Sequence, residues 1–138
     1  MRKFRRFYQC VETELPRRAT KHSAGYDFCA AMPVEIKPGE KRVIPTNIAV
    51  EMEQDEVLLL FPRSSYGIKF GLEFANSVGV IDADYRDEIL VCYRNTGDEP
   101  FFIKRGDRIA QGVFVKFFKT DDDSASGERH GGVGSTGV

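Results

Sequence analysis

The sequence predicts an all-β domain, a sandwich, jelly roll or barrel built from short strands. Apolar residues recur at two-residue spacing in Ile48, Val50 and Met52, in Ile89, Val91 and Tyr93, and in Val113, Val115 and Phe117. That is the period of a strand, whose side chains alternate between two faces. Turn signals punctuate these runs, and no stretch of comparable length carries a helical repeat.

At the N-terminus, Arg2, Lys3, Arg5 and Arg6 alternate with Phe4 and Phe7. With neither an RNA-binding signature nor a broad basic patch beside them, they read as a strand with one solvated face. The segments KPGE at 37–40, NTGD at 95–98 and KRGD at 104–107 each carry the Gly or Asp that a reversing backbone favours. VLLLF at 57–61 is apolar throughout, so this strand is expected to be covered on both faces. One helical turn is expected after Pro62, because proline suits the first helical position. After Lys119 the chain turns rich in Gly, Ser and Asp and cannot bury enough surface to order itself. It reads either as a frayed terminus or as a glycine-rich arm whose backbone N–H groups surround an anion, with Arg129, Ser135 and Thr136 as further donors. The expected organisation is one domain over 1–119 followed by a flexible arm over 120–138.

Length and charge narrow the function. A chain of 138 residues buries one core and does not divide comfortably into two. Twenty Lys and Arg against 21 Asp and Glu leave no global basic field for nucleic acid or a membrane surface. No apolar run approaches the ~20 residues that span a bilayer, and the N-terminus lacks the apolar segment of a signal peptide. Cys10, Cys29 and Cys92 are odd in number, widely spaced and without a CxxC pair, which fits a reducing cytosol better than a disulfide framework. His22 and His130 lack ligand spacing, so a protein-held zinc site is not expected.

Two short segments carry candidate chemistry. PRSSYG at 62–67 places Arg63 and two hydroxyls just after an apolar strand, where they either cap a surface turn or meet a phosphate. GVIDADYRDEI at 79–89 sets Asp82, Asp84, Asp87 and Glu88 around Tyr85. Acidic residues at turns are commonly just solvated. Here Val80 and Ile81 precede Asp82, and partial burial beside other carboxylates would strengthen it as a base.

In order and spacing these segments resemble the trimeric dUTP diphosphatase (dUTPase) family, over roughly residues 8–138. The motifs are AGYDFCAA at 24–31, PRSS at 62–65, the acidic stretch at 79–89, RIAQGVF at 108–114 and GGVGSTG at 131–137. The resemblance implies a jelly-roll-like β-barrel subunit, a homotrimer whose active sites combine segments of several subunits, and a C-terminal arm that closes over the nucleotide. It implies hydrolysis of dUTP to dUMP and pyrophosphate, an activity that supports dTMP synthesis and keeps uracil out of DNA. Asp82 corresponds to the base that activates water for attack on the α-phosphorus. Tyr85 corresponds to the ring packed on deoxyribose. A β-hairpin from Asn76 to Asp82, including Gly79, Val80 and Ile81, would offer main-chain groups to uracil. Arg63, Ser64, Ser65 and Gln111 correspond to phosphate contacts, joined from the arm by Arg129, Val133, Gly134, Ser135 and Thr136. Asp27 corresponds to an aspartate holding water on magnesium (Mg2+), itself bound chiefly by the triphosphate.

The sequence departs from the family pattern at three residues, and the spacing from Arg129 to Val133 is one residue shorter than the commonest form. Val133 stands where the arm usually carries a phenylalanine that stacks on uracil, Ser65 replaces a glycine, and so does Asp87. The altered arm keeps open a non-catalytic nucleotide-sensing protein of the same fold. A dCTP deaminase is disfavoured, since its catalytic glutamate would fall at Cys92.

Overall fold

The main sheet joins, in spatial order, β2 (Arg17–Arg18), β3 (Tyr26–Cys29), β12 (Arg108–Lys116), β7 (Glu56–Pro62) and β9 (Gly79–Ile81). It is antiparallel throughout and carries Asp27, Gly79, Val80, Ile81 and Gln111 among the candidate residues. A second sheet, β5-β10-β8, joins β5 (Lys41–Pro45), β10 (Leu90–Asn95) and β8 (Leu72–Phe74). Two antiparallel pairs complete the architecture: β1 (Lys3–Arg6) with β6 (Ile48–Glu51), and β4 (Val34–Ile36) with β11 (Phe101–Ile103). The short helix α1 spans Ser64–Phe70. The structure is a computed structural model that describes residues 1–134.

The inner faces meet in one core containing Phe28, Ile36, Ile44, Leu58, Leu60, Ile89, Val91, Tyr93 and Ile109. Burying such a side chain is worth about 1.5–3 kcal/mol each, which binds these small sheets into one cooperative unit. On β10 the alternation holds as read, with Val91 and Tyr93 inward and Leu90 and Arg94 exposed. On β6 Ile48, Ala49 and Val50 are all buried, so both faces of this strand are covered.

The expected cover of VLLLF on both faces is corrected, and β12 shows which face its alternation leaves outside. Val113, Val115 and Phe117 alternate, yet they point away from the core. The pairing of β12 with β3 shifts register between Arg108 and Ala110, so Ile109 is an extra residue that reverses the phase of everything after it. Ala110 and Gly112 then face inward, and Val115 remains 40% exposed. On β7 only Leu58 and Leu60 enter the core, while Val57, Leu59 and Phe61 stay half-buried on the opposite face. Within one chain, VLLLF is covered on one face.

The helix also differs from expectation. Pro62 ends β7, and α1 begins at Ser64 after an extended Arg63, then runs for two turns rather than one. Gly71, at φ 67°, stops it by taking a left-handed conformation that other residues adopt at a cost. The N-terminal strand is as expected: Phe4 packs on Tyr26, Phe28 and Phe114, while Lys3 and Arg5 pair with Glu51 and Arg2 with Glu56. The turns expected at 37–40, 95–98 and 104–107 each stand at the end of a strand, Asn95 being the last residue of β10.

Buried Asn47, at φ 58°, ties the N-terminal segment to the acidic loop. Its amide side chain donates to the carbonyls of Tyr8 (3.2 Å) and Val11 (3.0 Å) and to Thr13 Oγ1 (3.0 Å). Its Oδ1 accepts from Tyr8 N–H at 2.7 Å, and its own N–H donates to Glu88 Oε2 at 2.7 Å.

Candidate functional site

Asp82 follows β9 directly and opens a tight loop in which Tyr85 N–H donates to the Asp82 carbonyl at 3.0 Å. The loop is pinned by Tyr85, whose ring is buried and whose hydroxyl donates to the Glu88 carbonyl at 2.7 Å. Burial, aided by the charge of Asp87, pushes the Tyr85 phenol up, so it stays neutral. The Asp82 carboxylate is 52% exposed, so Val80 and Ile81 do not desolvate it within the chain. It lines a cavity of about 500 Å3 with Met52, Gln54, Asp84, Phe117 and Lys119.

The arm returns to this same loop. Arg129 Nε donates to Asp84 Oδ1 at 2.8 Å, its Nη2 donates to Asp82, and its guanidinium lies over the Tyr85 ring, 5.8 Å from the centroid. The two carboxylates hold the guanidinium's pKa above its ordinary value. Gly132 sits so close to Asp87 that a Cβ there would meet Asp87 Oδ2 at 2.7 Å. Val133 and Gly134 are exposed, and Ser135 and Thr136 lie outside the described residues.

A second cavity, about 410 Å3, is lined by Arg63, Ser64, Asp27, Arg108 and Gln111 among others. Its walls are adjacent strands of the main sheet: Gln111 pairs with Asp27 on one side and with Phe61 on the other. Gly25 makes room for the glutamine, since a Cβ there would stand 2.6 Å from Gln111 Oε1. Asp27 is half-buried, and Arg108 Nη1 approaches its Oδ2 at 3.6 Å. Arg63 Nη1 donates to the Arg108 carbonyl at 3.4 Å, and its guanidinium lies 5.7 Å from the centre of the Tyr66 ring. Ser65 is the second residue of α1. Neither Ser65 nor Asp87 has positive φ, so both former glycine positions accept ordinary backbone geometry.

The segment from Asn76 to Asp82 is not a hairpin of paired strands. β8 pairs with β10 and β9 with β7, so residues 75–78 cross from one sheet to the other. The crossing is tight: Ser77 takes φ 65°, and Val78 N–H donates to the Asn76 carbonyl at 2.7 Å. Gly79 lies against Leu60, while Val80 points outward beside Leu59 and is 61% exposed.

The chain thus gathers Asp82, Tyr85 and Arg129 in one place and Asp27, Arg63, Ser64 and Gln111 in another. The two cavities share no lining residue. Sequence reasoning missed Asp84 as the partner of Arg129 and Arg108 as the partner of Asp27. The β12 register shift, which a sequence does not display, puts Arg108 beside that carboxylate.

A family model described as dUTPase matches residues 11–137. The chain belongs to the dUTPase family. A "Deoxyuridine 5'-triphosphate nucleotidohydrolase" of Lactococcus lactis subsp. lactis (strain IL1403) is 44% identical to this dUTPase-family chain, over 95% of the chain and 93% of the relative. The crystal structure of a dUTPase from Streptococcus mutans superposes on it with a TM-score of 0.80 at 39% identity, covering 86% of this chain and 98% of the other. A dUTPase from phage phi11 of S. aureus, described as coordinating a structural Mg(II) ion, gives a TM-score of 0.80 at 25% identity, covering 92% and 97%. The nearly all-β chain therefore has the jelly-roll-like dUTPase fold.

Proposed function

We propose that this dUTPase-family chain hydrolyses dUTP to dUMP and pyrophosphate, supporting dTMP synthesis and keeping uracil out of DNA, in the cytoplasm. Asp82 orients a water and takes its proton as the water oxygen bonds to the α-phosphorus. The bond from that phosphorus to the bridging oxygen breaks on the opposite side, and pyrophosphate leaves. Arg63, Ser64, Ser65 and Gln111 hold the phosphates, and Tyr85 carries the deoxyribose. The segment holding Asn76, Gly79, Val80 and Ile81 presents its backbone to uracil. Cytosine would leave those groups mismatched, a strong basis for discrimination. The arm, over 120–138, adds Arg129, Val133, Gly134, Ser135 and Thr136 around the closed nucleotide, beyond the domain at 1–119.

Magnesium fits this arrangement as a partner of the triphosphate. Among the described residues no three His, Cys, Asp or Glu side chains converge to hold an ion. Asp27 is the one carboxylate among the described residues lining the Arg63 cavity, suited to a water of a hydrated ion. When bound, magnesium supplies neutralisation of phosphate charge.

The observation that carries the reading is the separation of the acidic loop from the Arg63 cavity within one chain. A homotrimer that sets one chain's loop against another's cavity explains it. The outward face of the main sheet, with Leu59, Val80, Val113 and Val115, offers apolar surface for that assembly.

Pyrophosphate release from dUTP, dTTP, dCTP and UTP, with and without magnesium, tests the activity on protein of known solution mass. Asp82→Asn should abolish turnover and preserve binding of a nonhydrolysable dUTP analogue. Full activity in that variant refutes the base assignment. Tight nucleotide binding without turnover in the wild type would favour the sensing protein, to which the exposed Val133 points.

A further inference from the structure

Tyr93 is the largest fully buried side chain of the core, and it brings a hydroxyl into that core. Phe74 and Tyr66 pack around its ring, with centroids 4.9 and 5.3 Å away. A buried phenol needs partners for its oxygen, because an unsatisfied one costs about 1–3 kcal/mol. Tyr93 finds both in the backbone: its oxygen accepts from Arg63 N–H at 3.2 Å, and its hydroxyl donates to the Ile109 carbonyl.

The two backbone groups stand in a particular relation. β7 and β12 pair up to Pro62 opposite Ala110, so Arg63 and Ile109 would form the next rung of that ladder. There the chain splays, as Arg63 leaves the sheet to begin α1. The Tyr93 hydroxyl occupies the gap and relays the rung, from Arg63 N–H through oxygen to Ile109 C=O. It thereby fixes the spacing between the Arg63 turn and the strand that bears Gln111. Burial raises the phenol well above its ordinary pKa, so the group remains both donor and acceptor.

We infer that Tyr93 is a positioning residue for the phosphate end of the substrate, acting through Arg63, an inference that rests on the dUTP reading above. Tyr93 touches neither cavity. Without its hydroxyl, the ladder either closes on itself, drawing Arg63 toward β12, or stays open with two unpaired backbone groups. Both outcomes move the guanidinium relative to Gln111, and small misplacements of binding groups are costly.

The test is Tyr93→Phe, with affinities measured for dUMP and for a nonhydrolysable imido analogue of dUTP. The analogue should lose about tenfold while dUMP changes by less than about twofold, since dUMP lacks two of the three phosphates that Arg63 is proposed to help hold. A merely structural hydroxyl would lower the melting temperature and leave the ratio of the two affinities unchanged, and that result overturns the inference. Should Tyr93→Phe fail to fold, 4-aminophenylalanine at position 93 poses the same question, since its amine keeps the size of the side chain and donates to the Ile109 carbonyl but accepts poorly from Arg63 N–H. It must shift the same ratio, and an unchanged ratio again overturns the inference. Wild-type protein that binds no analogue overturns the dUTP reading and this inference with it. Wild-type binding with unaltered ratios in the variants overturns the inference alone.

Discussion

Arg129 and Asp84 form an ion pair at 2.8 Å within one chain, and the same guanidinium also reaches Asp82. The carboxylate proposed as base is therefore paired with the arm's own arginine. On the proposed function, substrate phosphates would compete with Asp84 for one cation. Asp84→Asn weakens the resting contact without touching a group assigned to substrate. Partly exposed pairs are worth up to about 1 kcal/mol, so KM for dUTP should fall by about two- to fivefold with kcat little changed. Steady-state kinetics decide, and a higher KM would mean that Asp84 itself serves the substrate.

Val133 is 86% exposed, so replacing it forfeits little burial. A phenylalanine there costs the fold little and offers a ring to uracil. Base stacking on an aromatic side chain is worth about 1–3 kcal/mol, so Val133→Phe should tighten binding of a nonhydrolysable dUTP analogue by about ten- to a hundredfold. Titration calorimetry measures it. Unchanged affinity and kcat/KM would show that the arm does not cap the base.

Asn47 combines a left-handed backbone with a fully used amide. Alanine strains the backbone, by about 1–2 kcal/mol, and strips several hydrogen bonds. Asn47→Ala should cost about 3 kcal/mol or more in denaturant unfolding. Asn47→Gly, which accepts positive φ, should cost about 1 kcal/mol less than that. Equal losses would mean that strain contributes nothing here.

Burial raises the phenols of Tyr66, Tyr85 and Tyr93 in the native chain. In the unfolded chain each ionises near pH ~10. Above that pH the unfolded state binds fewer protons than the native one, so stability falls as pH rises. Below about pH 9 these groups contribute no slope. Denaturant midpoints taken from pH 8 to 11 should be flat with respect to the tyrosines and then drop, by up to about 1.4 kcal/mol per pH unit for each phenol. A midpoint constant to pH 11 contradicts the burial argument.

The strands were legible because Ile89, Val91 and Tyr93 repeat with the period of the pleat. That period names two faces without saying which is covered. The extra residue at Ile109 set the phase of β12 and carried Val113 and Val115 outward, which their spacing alone does not display. The candidate residues were legible as motifs, but their distribution over two cavities was not, because it depends on sheet order rather than spacing. Tyr93 gave one usable signal, a polar atom at an inward position that demands a partner. Arg63 and Ile109, thirty and sixteen residues away, were not visible as that partner.

On the proposed trimer, the partition of acidic loop and cationic cavity within one chain would separate folding from turnover. Each chain completes its own core, whereas a completed reaction centre would be a matter of mass action between chains. Specific activity would then decline on dilution while circular dichroism stays constant, and a mixture of two differently inactivated chains would regain part of what each has lost.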